Sequence, residues 1–237
     1  MNLSSPWCDA APGTRPLSAA ESRMMLFAGT VMGKISDGAP DGPHGVWKGS
    51  GSCWRCDAGP ALALAAVAAR YGDPAQQVWA EGILDSRISL YRRADGAFGA
   101  AAGGPDIDTM FFANILGVAA LLLRRQLDAA RLASWTQGVA GAADFLVKNG
   151  NLSWYTNGNI CLGNALTMAL AWRLTGDPKY QGYYQQAIDF VVAPPAPKWA
   201  GRGLIYTHRG SHTDGADSIG YFTEETSGLG NPGYDPE

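Results

Sequence analysis

The chain has 237 residues, a formal net charge of -3 and 46% hydrophobic residues, enough to bury one sizeable core or two small ones. The weak acidity and the lack of a Lys or Arg cluster argue against nucleic acid as a partner. No stretch reaches the roughly 18–20 apolar residues that span a bilayer, so no membrane partner is predicted. The 31 Gly and eight Trp suit long loops with aromatic rings, as in sugar-binding clefts, although Trp also fills cores.

The N-terminal part of the chain predicts one helix between irregular segments. Residues 1–16 contain Pro and Gly, and the predicted helix spans 17–34, where Ser18 and Glu21 have the spacing of a capping box. A Gly-, Pro- and Ser-rich loop follows. The first residues do not resemble a leader, so we expect secretion if a leader was removed and a cytoplasmic location otherwise.

A turn-forming pattern then recurs about every fifty residues, which is typical of helical hairpins in series. Gly72-Asp73-Pro74 and Gly176-Asp177-Pro178 each follow an apolar helical stretch, and the segment 124–128 breaks the helical pattern between them. The predicted hairpins span 57–92, 108–148 and 159–192.

The two helices of each predicted hairpin differ in polarity. The first is apolar on all sides, as in 61–69 and 115–123, whereas the second carries charged and amide residues on one side. Helices of the first kind are usually buried and those of the second kind lie outside. We therefore predict an all-α fold, with residues 1–237 forming a single helical-hairpin (α/α) toroid or partial toroid in which an inner ring is wrapped by outer helices.

In that register, the loops that lead into the inner helices emerge at one rim, where function is usually built. Asp106 and Asp108 stand there, two residues apart. Hydrolysis of a glycosidic bond uses one carboxyl group to protonate the leaving oxygen and a second to activate water or to attack. We predict this catalytic pair; the alternative is that Asp108 is an N-cap and Asp106 a turn residue. Asp57 has the same ambiguity, as a cap or as a substrate ligand.

A polar C-terminal segment supplies further catalytic candidates. His208 and His212 lie in it, and Tyr221 and Glu224 follow; they could act as acid or base, and the alternative is a polar surface loop. His and Tyr beside an Asn would suit proton abstraction next to a uronate, which is lyase chemistry, whereas acids without matching cations favour hydrolysis of a neutral or weakly charged glycan. The predicted substrate-binding residues are Trp54, Asp57, Trp154, Tyr155, Asn157, Asn159 and Arg209.

The cysteines do not predict a metal or a cofactor. Cys53 and Cys56 form a C-x-x-C pair, but no second pair at metal-ligand spacing exists, which argues against a structural zinc. Ordinary thiols or a local disulfide are the favoured interpretations.

Three segments resemble the six-hairpin (α/α)6-toroid carbohydrate-active enzymes, which include glycoside hydrolases and polysaccharide lyases. These are the Thr-Gly-Asp-Pro-Lys-Tyr turn at 175–180, the Trp-Tyr-Thr-Asn-Gly-Asn segment at 154–159 and the Asp-Gly-Ala-Phe-Gly loop at 95–99. The resemblance covers residues 17–237 and implies an oligo- or polysaccharide bound across the rim. A six-hairpin toroid has about twelve helices and only seven are predicted here, so we expect a missing C-terminal segment or self-association through exposed apolar faces.

Two other functions are compatible with the pattern. Asp106-Ile107-Asp108-Thr109 resembles part of the acid motif of class II terpene cyclases, which also use α-toroid domains. A non-catalytic helical repeat that binds glycan or protein is the third possibility.

Overall fold

The computed structural model describes Ala19 and residues 54–55, 58–99, 106–154 and 158–192. Within these ranges the protein is all-helical, which confirms the predicted fold class for this part of the chain. Apart from Ala19, which is helical, the predicted helix over 17–34 lies outside the described residues. The helices with described bounds are α1 (Pro60–Tyr71), α2 (Pro74–Tyr91), α3 (Asp106–Leu123), α4 (Ala129–Lys148), α5 (Asn151–Trp154), α6 (Gly158–Thr175) and α7 (Pro178–Val192).

The start of α1 corrects the predicted cap at Asp57. The cap is Gly59, which offers no side-chain hydrogen bond, and α1 begins at Pro60. Proline favours the first helical position because its missing N–H is not needed there and its φ is already helical. The residue directly before Pro60 therefore becomes the cap, and Asp57 stands too far upstream.

The start of α3 corrects a second prediction. The helix begins at Asp106, two residues before the predicted start at Asp108. Asp108 is thus the third helical residue, and the interpretation of Asp108 as the N-cap is wrong. A third difference lies in the segment between the predicted hairpins 108–148 and 159–192: the one-turn helix α5 occupies Asn151–Trp154.

The recurring turn motif has one physical basis at all three turns. Each turn carries an Asp whose carboxylate accepts backbone N–H groups at the start of the next helix. Asp73 accepts from Ala75 and Gln76 at 2.9 and 3.3 Å. Asp128 accepts from Arg131 at 2.8 Å and Asp177 from Lys179 at 2.9 Å. The first and third turns also contain a glycine at positive φ, Gly72 at 68° and Gly176 at 73°. Residues with a side chain rarely adopt this conformation.

The chain divides into two compact units, each described here by itself. Unit 1 contains residues 1–94, 98–104 and 115–138, and unit 2 contains 95–97, 105–114 and 139–237. In unit 1, α1 packs on α2; in unit 2, α6 packs on α7, and α5 contacts both. The assignment of the whole chain to a single domain stays a prediction.

In unit 1, α2 and α4 pair through residues fifty positions apart. Arg131 Nη1 lies 2.9 Å from Glu81 Oε2, and Trp135 Nε1 donates to Asp85 Oδ1 at 2.7 Å. Both partners advance by four residues from the first contact to the second, so the two helices run parallel. The fifty-residue period of the sequence is therefore the register between second helices of successive hairpins.

In unit 2, α3 and α6 pair in the same way. Asn114 Nδ2 donates to Gly163 O at 3.0 Å, and the Thr167 hydroxyl lies 2.8 Å from Asn114 Oδ1. A Cβ built on Gly163 would collide with Met110 Sδ, so the backbone of α6 passes directly over Met110. These contacts join the first helices of successive hairpins.

Burial distinguishes α3 from the second helices of the hairpins. Within α3, every described side chain is buried or half-buried, whereas α2, α4 and α7 each have exposed positions at helical spacing. The other first helices are less enclosed, since Tyr71 on α1 and Leu166 on α6 are exposed. The largest fully buried side chains in the described part include Phe112 and Met110 on α3 and Trp135 on α4, so helices of both kinds contribute to the core.

The close approach at Gly163 predicts a sharp difference between two glycine substitutions. Gly163→Ala should lower the free energy of unfolding by about 1–3 kcal/mol, because its methyl group overpacks against Met110. Gly182→Ala on α7, where an added Cβ meets nothing within 4 Å, should raise it by up to about 1 kcal/mol, the helix-propensity gain. Urea unfolding followed by circular dichroism measures both, and equal effects would contradict the packing argument. In a Met110→Ala background, the cost of Gly163→Ala should largely disappear.

The contacts of Arg131 predict that it matters more than a surface cation. The side chains of Arg131 and Glu81 are 31% and 11% exposed, whereas those of Lys179 and its partner Asp144 are 44% and 51% exposed. Arg131→Met should cost about 2 kcal/mol of unfolding free energy, between the values for exposed and buried pairs. Lys179→Met should cost no more than about 1 kcal/mol. Losses of the same size in denaturant titrations would refute the ranking.

Candidate functional site

The N-terminal turn of α3 carries the predicted carboxylate pair. Asp106 is its first residue and Asp108 its third. Asp108 is half-buried, and the next two residues, Thr109 and Met110, are buried. Negative charge is favoured in the first turn of a helix, where backbone N–H groups and the helix dipole point outward. The position therefore suits an ionised carboxylate that is partly shielded from water.

A buried amide cluster lies in the same unit, between α5 and α6. Asn164 Nδ2 donates to the backbone O of Asn151 at 3.0 Å, and Asn149 Nδ2 donates to Asn151 Oδ1 at 2.8 Å. Asn151 and Asn164 are fully buried, and two of their atoms, Asn151 Nδ2 and Asn164 Oδ1, have no hydrogen-bond partner. Asn151 Nδ2 could donate and Asn164 Oδ1 could accept one further hydrogen bond each.

A second polar group links α3 to α6. The Thr167 hydroxyl lies 2.8 Å from Asn114 Oδ1 and 3.0 Å from Gly163 O, and its single proton serves one acceptor at a time. Amides and hydroxyls of this kind do not ionise near neutral pH. They can orient the helices or a ligand, whereas acid–base work falls to the carboxylates.

Unit 1 contributes an aromatic pair that includes one predicted substrate ligand. The rings of Trp54 and Tyr91 are stacked, with centroids 4.1 Å apart and an interplanar angle of 17°. Trp54 is half-buried. One face of its indole is covered by Tyr91, so that face is closed to a sugar.

Unit 2 also contains a titrating cluster at the start of α7. Lys179 Nζ lies 3.0 Å from Asp144 Oδ1 and 4.6 Å from the centre of the Tyr180 ring. The hydrogen bond to Asp144, followed by that to Tyr180, raises the pKa of Lys179. Burial raises the pKa of the Tyr180 phenol above 10.0, and Lys179 opposes this only in part. The Tyr180 hydroxyl donates to Ala140 O at 3.3 Å.

The structure describes only part of the predicted site. Asp106 and Asp108 share one helical turn, Trp154 ends α5, and Asn159 is the second residue of α6. These four belong to unit 2, and Trp54 belongs to unit 1. The predicted residues outside the described ranges are Asp57, Tyr155, Asn157, His208, Arg209, His212, Tyr221 and Glu224.

Sequence reasoning missed three polar residues that lie inside otherwise apolar helices: Asn164 and Thr167, which are buried, and Asn114, which is half-buried. Buried polar groups are almost always paired. A polar residue within an apolar helical stretch is therefore the sequence signal that could have identified them. Tyr91 left no such signal, because its stacking on Trp54 joins residues 37 positions apart that no periodicity links.

No group of three or more His, Cys, Asp or Glu side chains that could hold a metal ion occurs within the ranges that the structure describes. In the same part of the chain, no helix is both long and apolar enough to cross a membrane. Cys161 on α6 is a buried thiol that packs beside Val191.

Comparisons with protein-family models, curated proteins and solved structures found no match for this chain.

The raised pKa of Tyr180 predicts a loss of stability in alkali. Above pH 10 the unfolded chain releases a phenol proton that the folded protein retains, so the free energy of unfolding falls as pH rises. Lys179 acts in the same direction above its usual value of 10.5. Tyr180→Phe should reduce the slope of unfolding free energy against pH above about 10, at the cost of about 1 kcal/mol near neutrality from the lost hydrogen bond. Denaturant titrations between about pH 8 and 11 measure this, and unchanged slopes would count against it.

Proposed function

We propose that the protein is a glycan-degrading hydrolase in which Asp108 is one of the two catalytic carboxyl groups and Asp106 or Glu224 is the other. The observation that carries this proposal is the position of Asp108, half-buried in the first turn of α3. One carboxyl group would protonate the leaving glycosidic oxygen while the other activates water or attacks the sugar.

The proposed architecture is a toroid or partial toroid. In it, α1, α3 and α6 are inner helices and α2, α4 and α7 are outer ones. Two observations support this arrangement. Parallel pairs at a spacing of about fifty residues join the inner helices α3 and α6 and the outer helices α2 and α4, and α3 is buried. Inner-helix N-termini then share one rim, where Asp106 and Asp108 stand and where an oligo- or polysaccharide would bind.

Other parts of the proposed site come from the sequence alone. His208, His212, Tyr221 and Glu224 stay proposed acids or bases, and Arg209 a substrate ligand. Lyase chemistry on a uronate, terpene-cyclase-like chemistry and binding without turnover stay possible outcomes of the assay below. The buried amides hold α5 against α6.

The central prediction concerns Asp108. Asp108→Asn removes an ionisable group without changing its size, so turnover should fall by about 100-fold or more, which is the scale of general acid–base catalysis. The thermal unfolding midpoint should stay within a few degrees. Asp128→Asn is the matched control: it keeps a good N-cap at the α3–α4 turn and should leave turnover unchanged.

One assay separates the possible functions. A panel of polysaccharides is scored for new reducing ends and for the absorbance of an unsaturated uronate, and a prenyl diphosphate is tested in parallel. Reducing ends without that absorbance support hydrolysis, and the absorbance supports a lyase instead. Full activity of Asp108→Asn, or its failure to fold, would refute the assignment of Asp108.

A further inference from the structure

The end of α4 carries an exposed Asn-Gly pair. Asn149 and Gly150 directly follow Lys148, the last residue of the helix, and both are exposed. Gly150 has a φ of 78°, and a Cβ built on it would meet nothing within 4 Å. This part of the backbone is therefore open to water.

Two main-chain hydrogen bonds close the end of α4. The N–H of Asn149 donates to Phe145 O at 2.9 Å, and the N–H of Gly150 donates to Val147 O at 3.0 Å. The second bond has the pattern of a Schellman cap, in which a glycine just past the helix folds back on the last turn. Helix ends open with a small free energy, and each opening releases the Gly150 nitrogen from Val147 O.

The side chain of Asn149 holds the start of α5. Its Nδ2 donates to Asn151 Oδ1 at 2.8 Å, and the backbone O of Asn151 accepts from Asn164 Nδ2 of α6 at 3.0 Å. Asn151 and Asn164 are fully buried. The exposed amide of Asn149 is therefore the outermost member of a hydrogen-bonded series that reaches the buried side of α6.

We propose that Asn149 is a site of spontaneous deamidation. The Gly150 nitrogen, after losing its proton to base, attacks Cγ of Asn149; a C–N bond forms, the Cγ–Nδ2 bond breaks, and Nδ2 takes up a proton and leaves as ammonia. Water then opens the succinimide ring, giving an aspartate if it attacks Cγ and an isoaspartate if it attacks the main-chain carbonyl. Asparagine is a thermolabile residue, and the glycine that follows has no Cβ to obstruct ring closure.

The modification removes the side-chain hydrogen bond that joins the end of α4 to α5. A carboxylate has no N–H to donate to Asn151 Oδ1. It also places a negative charge at the C-terminal end of α4, where the helix dipole disfavours one. Deamidation of Asn149 therefore loosens α5 from the end of α4. This inference does not depend on the proposed function.

Ageing of the full chain in mildly alkaline water enriched in heavy oxygen tests the site. We expect peptide mapping to find a labelled carboxyl group at residue 149 about tenfold or more above Asn151 and Asn164, since burial makes those residues wait for a larger opening. The rate at residue 149 should rise with pH, because the attacking nitrogen must lose its proton. Fragment spectra separate this position from Asn157, which also precedes a glycine.

Asn149→Gln is the matched control for the chemistry. It keeps an amide at the same position, but closure would need a six-membered ring, which forms more slowly. The labelled carboxyl group at residue 149 should therefore nearly vanish in this variant.

Asn149→Asp reproduces one product without ageing and tests the structural consequence. Its thermal unfolding midpoint should fall by a few degrees, because the donor to Asn151 is lost and a charge is added at the helix end. Gln186→Glu makes the same amide-to-carboxylate change at an exposed position within α7 and should leave the midpoint nearly unchanged.

Three results would overturn the inference: an intact amide at residue 149 after prolonged alkaline ageing, an equal yield of labelled carboxyl group in Asn149→Gln, or equal midpoints for Asn149→Asp and Gln186→Glu. None of these results bears on the hydrolase, and a protein that cleaves no polysaccharide could still deamidate at Asn149. The two proposals therefore fail separately.

Discussion

The guanidinium of Arg131 is the contact on which the register of unit 1 depends. It reaches Glu81 and Asp85, one turn apart on α2, and also Asp128, the cap of its own helix. Burial by itself lowers the pKa of Arg131, but the hydrogen bond to Asp85 and the nearby carboxylates outweigh this effect, so the pKa is raised overall. The charge is therefore permanent. It fixes the start of α4 along α2, and the Trp135–Asp85 bond continues the same alignment one turn later.

In unit 2, the close approach of backbone segments sets the helix alignment, as Arg131 does in unit 1. Gly163 lets α6 pass over Met110, and Gly96 lies against Gly141, where an added Cβ would come within 2.5 Å of the carbonyl oxygen. Side chains would hold these segments apart, so small residues permit the dense packing that dispersion requires. The part-buried hydrogen bonds among Asn114, Gly163 and Thr167 then fix the position of α6 along α3. Charge sets the alignment of α2 and α4, and shape with amide bonding sets that of α3 and α6.

The position of the proposed carboxyl groups follows from the hairpin order. The first helix of a hairpin begins at the end away from the turn, so Asp106 and Asp108 stand at that end of α3. At the same end of the first hairpin, Trp54 stacks on Tyr91. The acids that contact Arg131 lie elsewhere: Glu81 and Asp85 stand in the middle of α2, and Asp128 stands at the α3–α4 turn.

Local sequence patterns were enough to predict the helices, their order and their turns, because periodicity and capping residues act over a few positions. The predicted hairpin ends agree with the ends of α2, α4 and α7 to within a residue. The same patterns assigned the α3 start two residues late and a cap to Asp57, whereas the cap is Gly59, directly before Pro60. The pairing of Asp106 with Asp108 stays a prediction. Only the tertiary structure decided the partners: Trp54 with Tyr91, Asn151 with Asn164, Arg131 with α2. Such contacts join residues far apart in the chain, and no local pattern encodes which distant side chain fills a given space.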